Sequence, residues 1–292
     1  YFIPGFSPEA VLNGIQDYSI TDTLLVPTMI NMLVHHPDVT KYNLSSLRQL
    51  TYGASPMPES VIIKAMEVIP KCNFVHAYGM TECSPLLTMA GPDCHVFKGP
   101  KANLFKSTGV AAAGVEIKII DENDNELPRG VVGEIAARGS NIMLGYWRQK
   151  ELSDKALRNG WMHTGDGGYM NKDGYVYIVD RVKDMIISGG ENIYSAEVEN
   201  AIYQLDGVIE CAVIGIPNKE WGEAVHAIVR KDSNSNINEN DVIIHSKKLI
   251  AGFKCPKSVS FRDDPMPLSG AGKILKTNLR EPFWKGHEKQ VS

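Results

Sequence analysis

Tyr78-Gly79-Met80-Thr81-Glu82 sets an aromatic ring, a glycine, a hydroxyl and a carboxylate on one short turn. Such a turn offers a stacking plane, close backbone access, a donor for a phosphate oxygen and a hard oxygen ligand for a cation. A core tyrosine beside a solvated loop acid accounts for the same residues, and the turn alone does not separate the two. Thr164-Gly165-Asp166 holds a second acid between small residues. An ionised carboxylate accepts several hydrogen bonds and donates none, so Asp166 suits both hydroxyls of a ribose. Asp180, Arg181, Lys183 and Asp184 then put four charges within five residues, directly after the alternating segment Tyr175 to Val179. Burying such a cluster costs free energy, so it marks a surface, a joint between two bodies or a polar ligand. Arg181 is placed to approach the same sugar or its phosphate. Gly270-Ala271-Gly272-Lys273 puts a lysine on a glycine-lined tip able to reach out of its own domain. A solvated turn with a snorkelling lysine is the plain alternative. It is not a Walker A loop, because Pro267 replaces the earlier glycine and Ile274, not Ser or Thr, follows Lys273.

These stretches sit where expected elements end. Ser7 to Asp17 has helical spacing, with Ser7 as cap and Pro8 in the first turn. Thr23 to Val26 reads as a strand, Met29 to His35 as a helix and Leu47 to Tyr52 as a buried strand running into Gly53-Ala54-Ser55-Pro56. Small residues at a strand end let a flat ligand press on the backbone. Pro58 to Val68 is the next helix, and Asn73 to His76 the strand that delivers Tyr78. Alternating strand and helix signals imply an α/β layer over about 1–108. From about 109 to 180 the texture is β-rich, with Val115 to Ile120 and Val131 to Ala136 flanking a turn-rich loop. A small barrel, or a sheet packed on the α/β part, is expected there. Past Arg181 come a helix from Ser195 to Gln204 capped by Ser195, strands at Val208 to Ile216 and Val225 to Val229, a helix from Asp241 to Ile250 and a last strand at Val259 to Phe261. The fold class is therefore α/β: a partial large domain over 1–180, then a small α+β domain over 181–292.

At 292 residues and 43% hydrophobic content the chain has room for two real cores. A net charge of -4 and the lack of a basic tract argue against nucleic acid and anionic membrane as partners. No apolar run is long enough to span a bilayer. Cys72, Cys83, Cys94, Cys211 and Cys255 are odd in number and never in a C-x-x-C pair, which implies a reducing, intracellular, cytoplasmic setting and no zinc ribbon.

The order Y-G-M-T-E (Tyr78 to Glu82), T-G-D (Thr164 to Asp166), D-R-V-K-D (Asp180 to Asp184), S-G-G-E-N (Ser188 to Asn192) and G-A-G-K (Gly270 to Lys273) resembles the adenylate-forming, AMP-binding enzymes. The wording Y-G-M-T-E-C-S-P is most similar to their fatty-acid and aryl-acid CoA ligases. That resemblance covers essentially the whole chain and implies a two-step reaction. A carboxylate attacks the α-phosphate of ATP to give acyl-AMP and pyrophosphate, and the thiol of coenzyme A then displaces AMP. By motif position, Gly53, Ala54, Ser55, Tyr78 and Gly79 flank adenine, with Tyr78 stacked on it. Thr81 meets the α-phosphate and Glu82 ligates Mg²⁺. Asp166 binds the ribose hydroxyls with Arg181 beside it, and Lys273 lies between the carboxylate and the α-phosphate. Lys183 falls at the pivot of the small domain, and Gly189-Gly190 lines the pantetheine channel.

The resemblance also departs from the family. A Ser/Thr/Gly-rich phosphate loop is expected well upstream of the adenine segment, and none precedes Gly53. The chain thus reads as the C-terminal part of a longer enzyme that lacks the cradle for the β- and γ-phosphates, and it is not expected to complete the first step alone. The partners implied are a small carboxylic acid, ATP, coenzyme A and the missing N-terminal portion. A non-catalytic fragment that binds nucleotide or acyl-adenylate, and transfer to a carrier-protein thiol, are the competing functions.

Overall fold

The computed structural model describes residues 1–181, 184–270 and 272–286. Lys183, the expected pivot, and Ala271 in the lysine tip lie outside the described residues. The chain forms two compact units: Tyr1–Met57 with Val61–Val182, and Lys183–Ser292 with Pro58–Ser60.

The first unit holds two sheets. Strands β1 (Asp22–Leu25), β2 (Gln49–Gly53), β3 (Asn73–Tyr78), β4 (Thr88–Ala90) and β5 (Val110–Ala111) lie side by side in that order. The first three are parallel and the last two antiparallel. Helix α1 (Pro8–Tyr18) precedes β1, while α2 (Pro27–Val34) and α3 (Glu59–Val68) supply the two crossovers that parallel pairing requires. Ser7 caps α1 as its sequence predicts, its hydroxyl accepting the Ala10 N–H at 3.1 Å. Leu12, Ile30 and Leu33 from the helices meet Leu50, Tyr52 and Phe74 from the strands in one core. Central strand β3 buries Phe74, Val75, His76 and Tyr78, so both of its faces are covered, as parallel strands demand.

The second sheet runs β10-β9-β7-β6, all antiparallel: β6 (Val115–Ile120), β7 (Gly133–Gly139), β9 (Trp161–Met170) and β10 (Val176–Arg181). Short β8 (Leu157–Arg158), which follows α4 (Lys150–Ala156), pairs with β9. The expectation of a barrel-like part is corrected here, because this is an open sheet. Closure would need β10 to pair with β6, but Thr108 and Gly109 take the β10 edge instead: Thr108 N donates to Val176 O and Val176 N to Gly109 O, both at 2.8 Å. The loop between β6 and β7 closes on Asp121, whose Oδ1 accepts the N–H groups of Asn123 and Asn125.

The second unit carries a third sheet, β12-β11-β14-β13, with β15 parallel on β14. Its strands are β11 (Ile186–Ser188), β12 (Glu191–Ile193), β13 (Val208–Asn218), β14 (Gly222–Lys231) and β15 (Ser258–Phe261). Helices α5 (Ser195–Ile202), α6 (Glu239–Leu249) and α7 (Lys276–Trp284) complete it. Ile186, Ile193, Val198, Val213, Val229 and Val242 form its core. Gly189 and Gly190 join β11 to β12 with φ of 62° and 84°, the two positive angles a tight hairpin turn needs. Ser195 is not the cap of α5. Tyr194 holds that position and its side chain does not cap the helix, while the buried Ser195 hydroxyl accepts from Lys276 Nζ at 2.6 Å. The true capping box lies at α6, where Asn238 and Asp241 satisfy each other's backbone N–H. Helix α7 escapes the sequence reading because Pro282 interrupts its pattern.

Candidate active site

Strand β3 ends at Tyr78, and the chain then folds straight back. Leu87 N donates to Tyr78 O at 2.8 Å, and Thr81–Cys83 makes a single 3-10 turn inside the loop. Gly79 permits the fold-back, since a Cβ there would stand 1.8 Å from Pro85 O. The turn therefore presents Thr81 to solvent and leaves Glu82 half-buried.

Asp166 lies on β9, and the β9–β10 register puts Arg181 directly opposite it. Tyr78 comes from the other sheet of the unit. Its hydroxyl donates to Asp166 Oδ2 at 2.8 Å, while Arg181 Nε stands 3.2 Å from Oδ1. Three residues from separate stretches thus meet at one carboxylate that is only 6% exposed. A carboxylate accepts about four hydrogen bonds, so these contacts do not by themselves exhaust it. Burial, with the neighbouring carboxylate adding to it, pushes the Tyr78 hydroxyl well above its usual range, so it remains a donor at every working pH. Tyr78 is 7% exposed, which leaves little of its ring to offer a base. Asp180, part of the charge cluster, is buried rather than solvated, its Oδ1 accepting the Arg181 N–H at 2.8 Å.

The T-G-D backbone is held from below. Asp166 N donates to Thr164 Oγ1, whose own hydroxyl donates to Ile135 O at 2.7 Å. Gly165, with φ of 70°, donates its N–H to Glu134 Oε1 at 2.9 Å, and Glu134 Oε2 meets His163 Nδ1 at 3.0 Å. Sequence reasoning passed over Glu134 and His163, which lie on two strands and carry no local signature.

Gly53 ends β2 beside Ala77 of β3. A Cβ at Gly53 would stand 2.0 Å from Ala77 O, so strand packing already accounts for this glycine without a ligand. Ala54 follows in an exposed left-handed conformation with φ of 71°, and Ser55 is half-buried. The structure thus brings Gly53, Tyr78, Gly79, Asp166 and Arg181 to one end of the paired sheets. Gly189, Gly190 and Lys273 belong to the second unit. Gly189 and Gly190 are exposed at their hairpin tip. Lys273 is half-buried in a closed turn rather than on a loose tip: Ser269 N donates to Lys273 O at 2.8 Å, and Lys273 N donates to Ser269 Oγ at 3.2 Å.

Among the described residues no group of three or more His, Cys, Asp and Glu side chains is arranged for a metal ion. A lone carboxylate such as Glu82 nonetheless suits Mg²⁺, which keeps several waters and takes one or two carboxylates together with substrate phosphates. Glu82 has a partner the sequence did not announce. Its Oε1 accepts from Tyr146 Oη at 2.8 Å, across 64 positions of chain. Burial, then the bond to Glu82, raises the Tyr146 hydroxyl above its usual range, which keeps it the donor.

The chain is 40% identical over 278 residues to a feruloyl-CoA synthase of an Amycolatopsis species, covering 95% of this chain and 55% of that protein. It is 36% identical over 287 residues to a fatty acid–[acyl-carrier-protein] ligase, ScoC, of Streptomyces coeruleorubidus, covering 98% and 54%. ATP-bound MatB from Rhodopseudomonas palustris superposes with a TM-score of 0.86 at 33% identity, covering 98% of this chain and 55% of that one. The chain spans about half the length of the curated relatives it matches. Residues 1–147 match the model for AMP-binding enzymes and residues 197–273 that for the AMP-binding enzyme C-terminal domain. With half the chain matched on the stretch that carries Tyr78, Thr81 and Glu82, this protein belongs to the AMP-binding enzyme family.

Proposed function

We propose that the protein is an ATP-dependent, AMP-forming acid–thiol ligase that activates a fatty or aryl carboxylic acid as an acyl-adenylate and passes it to coenzyme A. The observation that carries this reading is the convergence of Tyr78 and Arg181 on the buried Asp166 carboxylate, beside a turn bearing a hydroxyl and a second carboxylate. Asp166 accepts the ribose hydroxyls, with Arg181 holding that carboxylate in place. Gly53, Ala54, Ser55 and Gly79 border the base, together with the little of Tyr78 that is exposed. Thr81 donates to the α-phosphate. Bringing a carboxylate to a phosphate sets anion against anion, so a cation must offset charge that grows in the transition state. Lys273 supplies that charge, worth about 3 kcal/mol or more in a desolvated site. Mg²⁺, held at Glu82 together with the nucleotide's phosphates, screens the same charge when bound. Gly189 and Gly190 pass the pantetheine arm. Five cysteines, all free and buried, favour cytoplasmic residence.

The full-length protein, given ATP, coenzyme A and a panel of hydroxycinnamic, benzoic and fatty acids, is expected to release AMP in step with thioester formation. AMP binding with no thioester from any acid would overturn the ligase reading in favour of a non-catalytic nucleotide-binding role. A second acceptor has specific support in the resemblance to ScoC, which is named as a ligase to an acyl-carrier protein. Transfer to a carrier thiol that free coenzyme A does not compete with would favour it.

A further inference from the structure

The segment after β7 grips the loop that follows Tyr78. Asn141 Nδ2 donates to Cys83 O at 2.7 Å and to Leu86 O at 2.9 Å. Met143 N donates to Glu82 O at 2.7 Å, and Tyr146 Oη to Glu82 Oε1 at 2.8 Å. Four bonds from one six-residue stretch thus hold the backbone and the carboxylate of the same turn. Asn141 takes this pose although its Oδ1 is buried without a hydrogen-bond partner. Its amide is committed to the two carbonyls. Gly139 makes room for it, since a Cβ there would stand 2.6 Å from Asn141 Oδ1.

Tyr146 is itself anchored. Its N–H donates to Ser153 Oγ at 2.8 Å, and the Ser153 hydroxyl donates to Gln149 O at 2.8 Å, at the start of α4. Among the described residues the Tyr146 bond is the one side-chain hydrogen bond that Glu82 makes. A half-buried glutamate with several rotatable bonds would otherwise sample several rotamers. A donor on Oε1 selects one of them and leaves the cation-binding capacity of Oε2 intact.

We propose that Tyr146 is a positioning residue for Glu82, fixing the carboxylate so that one oxygen is presented to a divalent cation that accompanies the nucleotide. The inference rests on the function proposed above, which makes Glu82 the metal ligand. Partners that orient metal-ligating carboxylates change metal affinity by about 10–100-fold when removed. Tyr146→Phe deletes the hydroxyl alone and retains the ring.

The test uses the full-length protein and Mn²⁺ as the probe, with binding followed by electron paramagnetic resonance in the presence of a non-hydrolysable ATP analogue. Wild type, Tyr146→Phe and Glu82→Gln are compared, together with the Mg²⁺ concentration at half-maximal adenylation. Tyr146→Phe is expected to weaken Mn²⁺ binding about tenfold and to raise the Mg²⁺ requirement in parallel, with the thermal unfolding midpoint unchanged. Unchanged Mn²⁺ binding in Tyr146→Phe, with weakened binding in Glu82→Gln, overturns the role of Tyr146 and leaves the ligase reading intact. Unchanged binding in both variants overturns the metal assignment of Glu82 as well.

Discussion

Asp166 shows how a charged group is kept at a 6%-exposed position. It stands between a guanidinium and a phenol, with Arg181 Nε 3.2 Å from Oδ1 and the Tyr78 hydroxyl 2.8 Å from Oδ2. Removing one partner of such a group leaves a buried charge or hydroxyl unmatched, at a cost of about 1–3 kcal/mol. Asp166→Asn keeps the shape and loses the charge. It is expected to weaken ATP binding by about tenfold or more in titration calorimetry on the full-length protein, since hydrogen bonds to charged groups are worth about 1.5–3 kcal/mol. Binding unchanged by this substitution would remove Asp166 from the ribose site. The glycines beside it answer to different needs. Gly53 and Gly79 make room for backbone carbonyls that an added Cβ would meet at 2.0 and 1.8 Å, whereas Gly165 supplies a left-handed angle with φ of 70°.

At the scale of the element, β3 carries both the site and a buried histidine cluster. His76 stacks on Tyr52 with ring centres 4.6 Å apart, and its Nδ1 lies 3.0 Å from Ser107 O. Burial lowers its imidazole from the ordinary 6.5 to about 4. Below pH 6.5 the unfolded chain takes up a proton that the folded chain refuses until about pH 4. The stability from neutral His76 is therefore fully present above pH 6.5 and is lost as pH falls through 4, a change on the order of 3 kcal/mol. His95, lowered by burial as well and 2.9 Å from the Tyr52 hydroxyl, adds to the same slope. Urea unfolding midpoints between pH 7 and pH 4 should fall steeply in the wild type and less in His76→Gln. Equal slopes would show that the histidine is not the group responsible. Element boundaries followed from residue types where a local rule decides them, as with Ser7-Pro8 at α1 and the alternation of β6. They failed where a tertiary contact decides. Ser195 has a capping side chain but spends it on Lys276, which Glu199 also holds at 2.6 Å.

For the whole molecule, the residues assigned to the nucleotide lie in one unit and Lys273 lies in the other. That division makes a prediction at this scale. Lys273→Ala in the full-length protein is expected to slow acyl-adenylate formation by about 100-fold or more, since a preorganised donor at developing charge contributes that much. Thioester formation from preformed acyl-adenylate should change far less. Rapid-quench measurement of the two half-reactions separates the outcomes, and equal losses in both would refute the role. Trp147 is 84% exposed, and the cationic groups of Lys118 and Arg138 each lie within 5 Å of the Trp161 ring.

Residue types and spacing along the chain were sufficient for the α/β class and most of the strands and helices, whereas grouping Tyr78 with Asp166 and Arg181 followed from the family resemblance. They sufficed because capping residues, alternation and turn residues are local signals that specify an element from its own stretch of chain. The tertiary structure alone decided that the β-rich part stays open, that Glu134 and His163 brace Gly165, and that Tyr146 reaches Glu82 from 64 positions away. Contacts of that kind depend on which strand edges and loops pack together. Only the cooperative burial of a whole core determines that.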